Sequence, residues 1–184
     1  MAKRQQKARI AGFLLSSAWE FFIIAGVSLN EHPMKFAIAL FSAAHAPSSR
    51  RALLFARAAL AGGHEIVRLF FYQDGVYSAS ANVVAPQDEQ DIAAQWREFV
   101  SENQLDGVVC IAAALRRGIL NEEEAQRYQR ASANLTAPWE LSGLGQLHDA
   151  AQSADRLICF GGPCDDQVIT GDQPSGALVW AERS

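Results

Sequence analysis

Short apolar segments alternate with amphipathic ones from Met34 to Gly161. The first of them, Lys35–Phe41, is a nearly continuous apolar run, which is typical of a strand buried on both faces of a parallel sheet. Four similar segments follow at intervals that leave room for a helix between them. The pattern therefore predicts five strands, at Lys35–Phe41, Glu65–Tyr72, Leu105–Ile111, Trp139–Ser142 and Leu157–Phe160.

The segments between these strands carry helical patterns and capping signals. We predict helices at Arg50–Leu60, at Asp88–Asn103, from a capping box at Asn121 and Glu124 through Tyr128, and at Leu144–Ser153. Strand and helix alternate, so the sequence predicts an α/β fold: a three-layer domain with a mostly parallel five-stranded sheet and helices on both faces. Residues 73–87 are rich in turn-forming residues and are predicted to be a long loop, a type of segment that is often functional.

The two ends of the chain differ in composition from this body. Residues 1–33 have a net charge of +2 and an apolar stretch, whereas the remainder carries −6. A signal peptide and a membrane span are alternatives for this segment, but Glu20 interrupts the apolar stretch and would cost about 3 kcal/mol at mid-bilayer. We favour residues 1–33 as an accessory or spurious extension, residues 34–161 as the domain, and residues 162–184 as a weakly ordered tail.

The net charge and the cysteine content reduce the number of function classes that fit this chain. The net charge of −4 and the isoelectric point near 5.5 do not provide the broad basic surface that binds nucleic acid through its phosphates. Three cysteines without a CxxC pair argue against a secreted disulfide framework and favour a reducing, cytoplasmic location.

The sequence lacks the motifs of several common kinds of functional site. The four histidines are scattered and none has metal-ligand spacing, so we predict no metal site. The glycine pairs do not form a nucleotide-binding fingerprint, and no serine lies in a GxSxG elbow.

Cys110 has the most suggestive position, because it ends the third strand and an Ala-rich segment that can begin a helix follows it. The amides of that helix and the charges of Arg116 and Arg117 would favour a thiolate, and the small residues 112–114 would leave room for a large partner. The alternative is a buried cysteine that acts as a small apolar residue, with the two arginines on a solvated helix face. Cys159 is predicted to be a core residue, and Cys164 to lie in the tail.

The segment Val109–Ile119, VCIAAALRRGI, resembles the active-site segment of the DsrE-like sulfurtransferases, most closely their TusD-type relay subunits. Further segments agree in order: Gly63–Glu65, Phe70–Val76 and Leu141–Leu147. The resemblance extends from Met34 to about Gly161, and it implies a DsrE-like fold. It leaves both extensions out.

The resemblance implies that Cys110 carries sulfur as a persulfide and that no metal or organic cofactor is needed. It implies a TusA-like donor, a TusE-like acceptor, and TusB-like and TusC-like sister subunits in a heterohexamer. The sulfur would then serve 2-thiouridine formation at the tRNA wobble position, without membrane attachment or direct nucleic-acid binding by this chain.

Three points stay open at this level. A DsrE-type role in sulfur oxidation shares the cysteine motif, and a non-catalytic structural subunit of the same complex is a further alternative. His45 would lie near Cys110 if the first and third strands were neighbours, and it could then stabilise the thiolate or contact a partner, as could Arg116 and Arg117.

Overall fold

The computed structural model describes residues 32–162 and the backbone of one further strand at 168–170. The strands are β1 (Lys35–Leu40), β2 (Glu65–Phe71), β3 (Gly107–Cys110), β4 (Trp139–Ser142), β5 (Arg156–Phe160) and β6 (Val168–Thr170). The helices are α1 (Pro47–Ala61), α2 (Ile92–Glu102), α3 (Ile111–Arg116), α4 (Glu122–Arg127) and α5 (Gly145–Ser153), with a 3-10 helix at Gln73–Ala79.

The strands form one sheet in the order β4-β3-β2-β1-β5-β6. Strands β1 to β5 are all parallel to one another, which confirms the predicted parallel five-stranded sheet. Strand β6 pairs antiparallel with β5 and lies inside the segment predicted as a weakly ordered tail. The rest of that segment lies outside the described residues.

Helices cover both faces of the sheet, as predicted. Successive side chains of a strand point to opposite faces. On β1, Phe36, Ile38 and Leu40 belong to the main core, which includes the buried side chains of α1 and α2. Ala37 faces the other way and forms a smaller cluster with Ala150 of α5. The small side chain at position 37 fits the contact of α5 with the central strands.

Local sequence signals account for the starts of α1 and α4. Helix α1 begins with Pro47, a residue that suits the first helical position because its missing N–H would have no partner there. The side chain of Asn121 accepts a hydrogen bond from the amide of Glu124 at 2.9 Å, as the predicted capping box requires. The carboxylate of Glu124 turns instead to Arg127, at 2.9 Å, so the reciprocal half of the box is not formed.

The prediction of a loop throughout residues 73–87 was wrong for its first half, since residues 73–79 form the 3-10 helix. The reason is tertiary: the amide of Gly75 donates to the carbonyl of Phe41 at 3.1 Å, and the amide of Tyr72 donates to the carbonyl of Leu40 at 2.8 Å. A Cβ on Gly75 would lie 2.1 Å from the Leu40 carbonyl oxygen. Only glycine lets the 3-10 helix approach the end of β1 so closely.

Contacts between Cα atoms divide the chain into two units, Met1–Pro33 and Met34–Ser184. Our expectations for residues 1–31 lie outside the described residues. Across the part of the chain that is described, none of the helices has the length and apolar character needed to cross a membrane.

Candidate functional site

Cys110 lies where β3 passes directly into α3. It is the last residue of the strand and the N-cap residue of the helix, and it is paired in register with Ser142 of β4. Its side chain makes no capping hydrogen bond. Only 1% of the residue is exposed, so the thiol is enclosed in the core rather than presented at the surface.

The 3-10 helix is the element that covers this junction. It contacts both β3 and α3, and its buried residues Val76 and Ala79 belong to the same core cluster as Cys110. Ala113 and Ala114 are buried in that cluster as well. The expected open space beside the small residues 112–114 is therefore limited to Ala112, which is exposed.

Arg117 ties the covering helix to the end of α3. Its Nε and one terminal nitrogen donate to Asp74 Oδ1 at 3.0 and 2.7 Å, and its other terminal nitrogen donates to the carbonyl of Ala113 at 3.2 Å. The guanidinium is thus engaged by a carboxylate and a backbone oxygen. Its place in the structure is a brace between the 3-10 helix and α3.

Arg116 points away from this brace. It is exposed in the last turn of α3, where it lines a groove together with Leu115, Tyr128 and Arg130. The structure therefore separates the two neighbouring arginines: one lies beside the cover of Cys110 and the other in an adjacent groove.

The expectation that His45 lies near Cys110 rested on adjacent first and third strands, and this premise was wrong. Strand β2 lies between β1 and β3, which places the two strands about 10 Å apart in the sheet at the usual spacing. His45 is exposed and lines a different pocket of about 300 Å³ with Tyr77 and Val84. Cys110 does not line that pocket.

Cys159 is not near Cys110 in the sheet. Cys159 is half-buried on β5, which is separated from β3 by both β1 and β2. Cys164 lies outside the described residues. Among the residues described, no three His, Cys, Asp or Glu side chains come together as a cluster able to hold a metal ion.

Sequence reasoning missed the 3-10 helix that packs against β3 and α3. Asp74 and Gly75 stand out only as a turn signal, and their roles depend on Arg117 and Leu40, which are distant in sequence. Ser78 belongs to the same 3-10 helix; it is completely buried, and among the described residues its hydroxyl has no hydrogen-bond partner. The opposite charges of Asp74 and Arg117 were the one feature of the sequence that could have indicated the contact between the 3-10 helix and the end of α3.

Comparisons with known proteins identify the family and the fold of the chain. Residues 34–160 match the DsrE/DsrF-like family. The chain is 77% identical over 129 residues to a protein of Pseudomonas aeruginosa named sulfurtransferase TusD homolog, covering 70% of this chain and 98% of that protein. It is 41% identical to sulfurtransferase TusD of Salmonella newport, over 69% of this chain and all of that protein.

A further relative is DsrE of Allochromatium vinosum, at 46% identity over 70% of this chain and 99% of that protein. Among solved structures, the ychN protein of Escherichia coli superimposes with a TM-score of 0.55, over 70% of this chain and 100% of that one. Its sequence identity is 19%, so it shows the shared fold alone. The chain belongs to the DsrE/DsrF-like family, as a sulfurtransferase similar to TusD.

Proposed function

We propose that Cys110 is the residue that carries sulfur in this sulfurtransferase. In the first step the Cys110 thiolate attacks the outer sulfur of a donor persulfide, a sulfur–sulfur bond forms at Cys110, and the donor cysteine leaves as a thiolate. In the second step an acceptor thiolate attacks the outer sulfur of the Cys110 persulfide and releases the Cys110 thiolate. One sulfur atom moves in each step, and no net oxidation occurs.

The observation that carries the proposal is the position of Cys110 between the carboxyl end of β3 and the first turn of α3. The first amides of a helix have no acceptor within the helix, and their partial positive charge favours an anion beside them. A thiolate is the reactive form of cysteine, so this position favours the chemistry. Cys159, the other cysteine among the described residues, lies inside β5 and has no such position.

The burial of Cys110 adds a requirement to the proposal. Thiol exchange depends on access to the attacking sulfur, and 1% exposure gives almost none. We infer that the 3-10 helix, which contacts both β3 and α3, moves away from α3 during each transfer. The link that must break is the ion pair between Arg117 and Asp74, whose carboxylate side chain is 60% exposed and already partly hydrated.

The finer assignment is a relay that ends in 2-thiouridine at the tRNA wobble position. The relatives named TusD support it. Sulfur would arrive from a TusA-like donor and leave to a TusE-like acceptor, with TusB-like and TusC-like subunits completing a heterohexamer in the cytoplasm. The acidic body suits an exchange between proteins, because an enzyme further along the relay would handle the tRNA.

A DsrE-type role in sulfur oxidation is the second candidate, and the 46% identity to DsrE favours it. The neighbouring genes discriminate between the two pathways. Genes for the two small sister subunits alone indicate tRNA thiolation, whereas adjoining sulfite reductase genes indicate sulfur oxidation.

A non-catalytic structural subunit is the third candidate, and the burial of Cys110 is the observation that favours it. The decisive experiment incubates the full chain, within its complex, with a persulfide-loaded TusA-like donor and locates added sulfur by peptide mass spectrometry. We expect the mass of one sulfur atom on Cys110 in the wild type and in Cys159→Ser, and none in Cys110→Ser. Normal relay by Cys110→Ser would establish the structural role and overturn our proposal.

A further inference from the structure

We propose that the groove at the C-terminal end of α3 docks an acidic segment of the relay protein that exchanges sulfur with Cys110. This inference rests on the proposed function and adds the surface and the chemistry by which the partner is recognised. The groove has a volume of about 630 Å³. Leu115 and Arg116 of α3 form one wall, and Tyr128 and Arg130, which follow α4, form the other.

The charges of this groove are unsatisfied within the described part of the chain. Arg68, Arg117 and Arg127 each have a carboxylate within 4.0 Å. Arg116 and Arg130 line the groove, and neither has such a partner among residues 32–162. They form a basic site on a body whose net charge is −6. A negatively charged segment is the complement that this site fits.

The residue types are also those that contribute most to protein interfaces. Tyrosine and arginine are enriched among the residues that dominate binding energy. Tyr128 is 50% exposed and lines the groove together with the two arginines, although it is a large aromatic residue. An exposed tyrosine that shares a groove with two unpaired arginines is therefore typical of a protein-recognition surface.

The groove is held in shape before any partner binds. The side chain of Asn134 accepts from the amide of Leu120 at 2.9 Å and donates to the carbonyl of Gly118 at 3.0 Å. Gln129 adopts a φ of 52°, in the left-handed region, and the amide of Arg130 then donates to the carbonyl of Ala125 at 2.8 Å. A site that is already ordered loses little conformational entropy on binding.

The groove also lies within reach of the thiol. Helix α3 has six residues, so Cys110 and the groove are separated by about 9 Å along the helix axis. Arg117, the brace of the covering helix, is adjacent in sequence to Arg116 of the groove. A partner docked in the groove therefore lies at the same end of α3 as the ion pair between Arg117 and Asp74.

A relay protein is favoured over a second copy of this chain as the occupant. Two bodies of charge −6 repel each other at long range, and a second copy brings no donor or acceptor cysteine for the exchange. The occupant that meets both needs is a protein with an acidic segment near its reactive cysteine.

The test uses the charge reversals Arg116→Glu and Arg130→Glu in the full chain within its complex. Sulfur transfer from a persulfide-loaded TusA-like protein, and onward to a TusE-like protein, is timed by mass spectrometry and divided by the rate of Cys110 loading from inorganic polysulfide. We expect this ratio to fall about tenfold or more for at least one of the two proteins, with the loss greater at low salt. Arg50→Glu, an exposed and equally large change of charge on α1, is the matched control and is expected to leave the ratio unchanged.

The outcomes separate the inference from the proposed function. Unchanged ratios for both proteins in the double variant overturn the docking site while Cys110 remains the carrier. Loss of the sister subunits, or a change in the size of the assembly by gel filtration, assigns the groove to assembly and also overturns it. Failure of wild-type Cys110 to take sulfur from both the TusA-like donor and polysulfide refutes the proposed function itself.

Discussion

Gly75 is the position at which the cover of Cys110 is most sensitive to a single methyl group. The Cβ of an alanine would lie 2.1 Å from the Leu40 carbonyl oxygen and 2.9 Å from the Leu40 carbonyl carbon, both of which are backbone atoms. To reach ordinary contact at 3.4 Å, the 3-10 helix must retreat by about 1.3 Å, which weakens the hydrogen bond from the Gly75 amide to Phe41. Overpacking of this kind costs about 1–3 kcal/mol.

This cost falls on the closed position of the 3-10 helix. When a closed state loses 1.4 kcal/mol relative to an open one, the open population rises about tenfold. We therefore expect Gly75→Ala to speed the alkylation of Cys110 by iodoacetamide about ten- to a hundredfold under native conditions, where labelling follows local opening. Peptide mass spectrometry isolates the Cys110 signal from those of Cys159 and Cys164, and urea unfolding measures the change in stability.

Gly145→Ala is the matched control, since a Cβ at Gly145 meets nothing within 4 Å. It is expected to leave both the labelling rate and the midpoint of unfolding close to those of the wild type. The reasoning is refuted if Gly75→Ala is destabilised while Cys110 reacts at the wild-type rate, because the 3-10 helix would then not limit access to the thiol.

Three further changes test the surroundings of the site. Asp74→Asn should speed Cys110 labelling while lowering the unfolding free energy by at most about 1 kcal/mol, because the ion pair is partly hydrated; identical labelling would show that Arg117 does not hold the cover. Ser78→Ala removes a buried hydroxyl that lacks a partner among the described residues, so it should leave stability unchanged or raise it by up to about 1 kcal/mol and slow labelling. Ser80→Ala instead removes a hydroxyl that accepts from the amide of Asn82, and it should not slow labelling. Trp96→Phe deletes an indole N–H that donates to a buried serine hydroxyl at 3.1 Å and leaves a smaller ring in a fully buried site; urea unfolding should show a loss of about 1–3 kcal/mol, and a loss below the error of the measurement would contradict that estimate.

The sheet was predictable because each of its parallel strands is a short apolar run in the sequence. The segment Lys35–Phe41 differs from the observed β1 by one residue, and the Trp139–Ser142 strand is exact. Buried parallel strands need apolar side chains on both faces, and this demand appears directly in the sequence. A helix start can also be predicted from neighbouring residues, as the capping hydrogen bond of Asn121 demonstrates.

The enclosure of the candidate site was not predictable in the same way. The 3-10 helix at Gln73–Ala79 has the composition of a loop, and hydrogen bonds to the end of β1 hold it in place. Likewise, the distance from His45 to Cys110 depends on the order of the strands, which no single segment encodes. A position next to a helix could be inferred for Cys110, but its burial depends on an element more than thirty residues earlier in the chain.

The cover over Cys110 has a consequence for the fidelity of sulfur delivery. The outer sulfur of a persulfide can be taken by any thiolate that reaches it, including the abundant small thiols of a reducing cell. Because only 1% of Cys110 is exposed, a sulfur atom carried there, as we propose, would be screened from these thiols while the 3-10 helix is in place. The hydrogen bonds from Tyr72 and Gly75 anchor this helix to the end of β1, and the ion pair of Asp74 with Arg117 ties it to the end of α3. If Cys110 is the sulfur carrier that we propose, this cover would keep its sulfur from chance acceptors until a docked partner displaced the 3-10 helix.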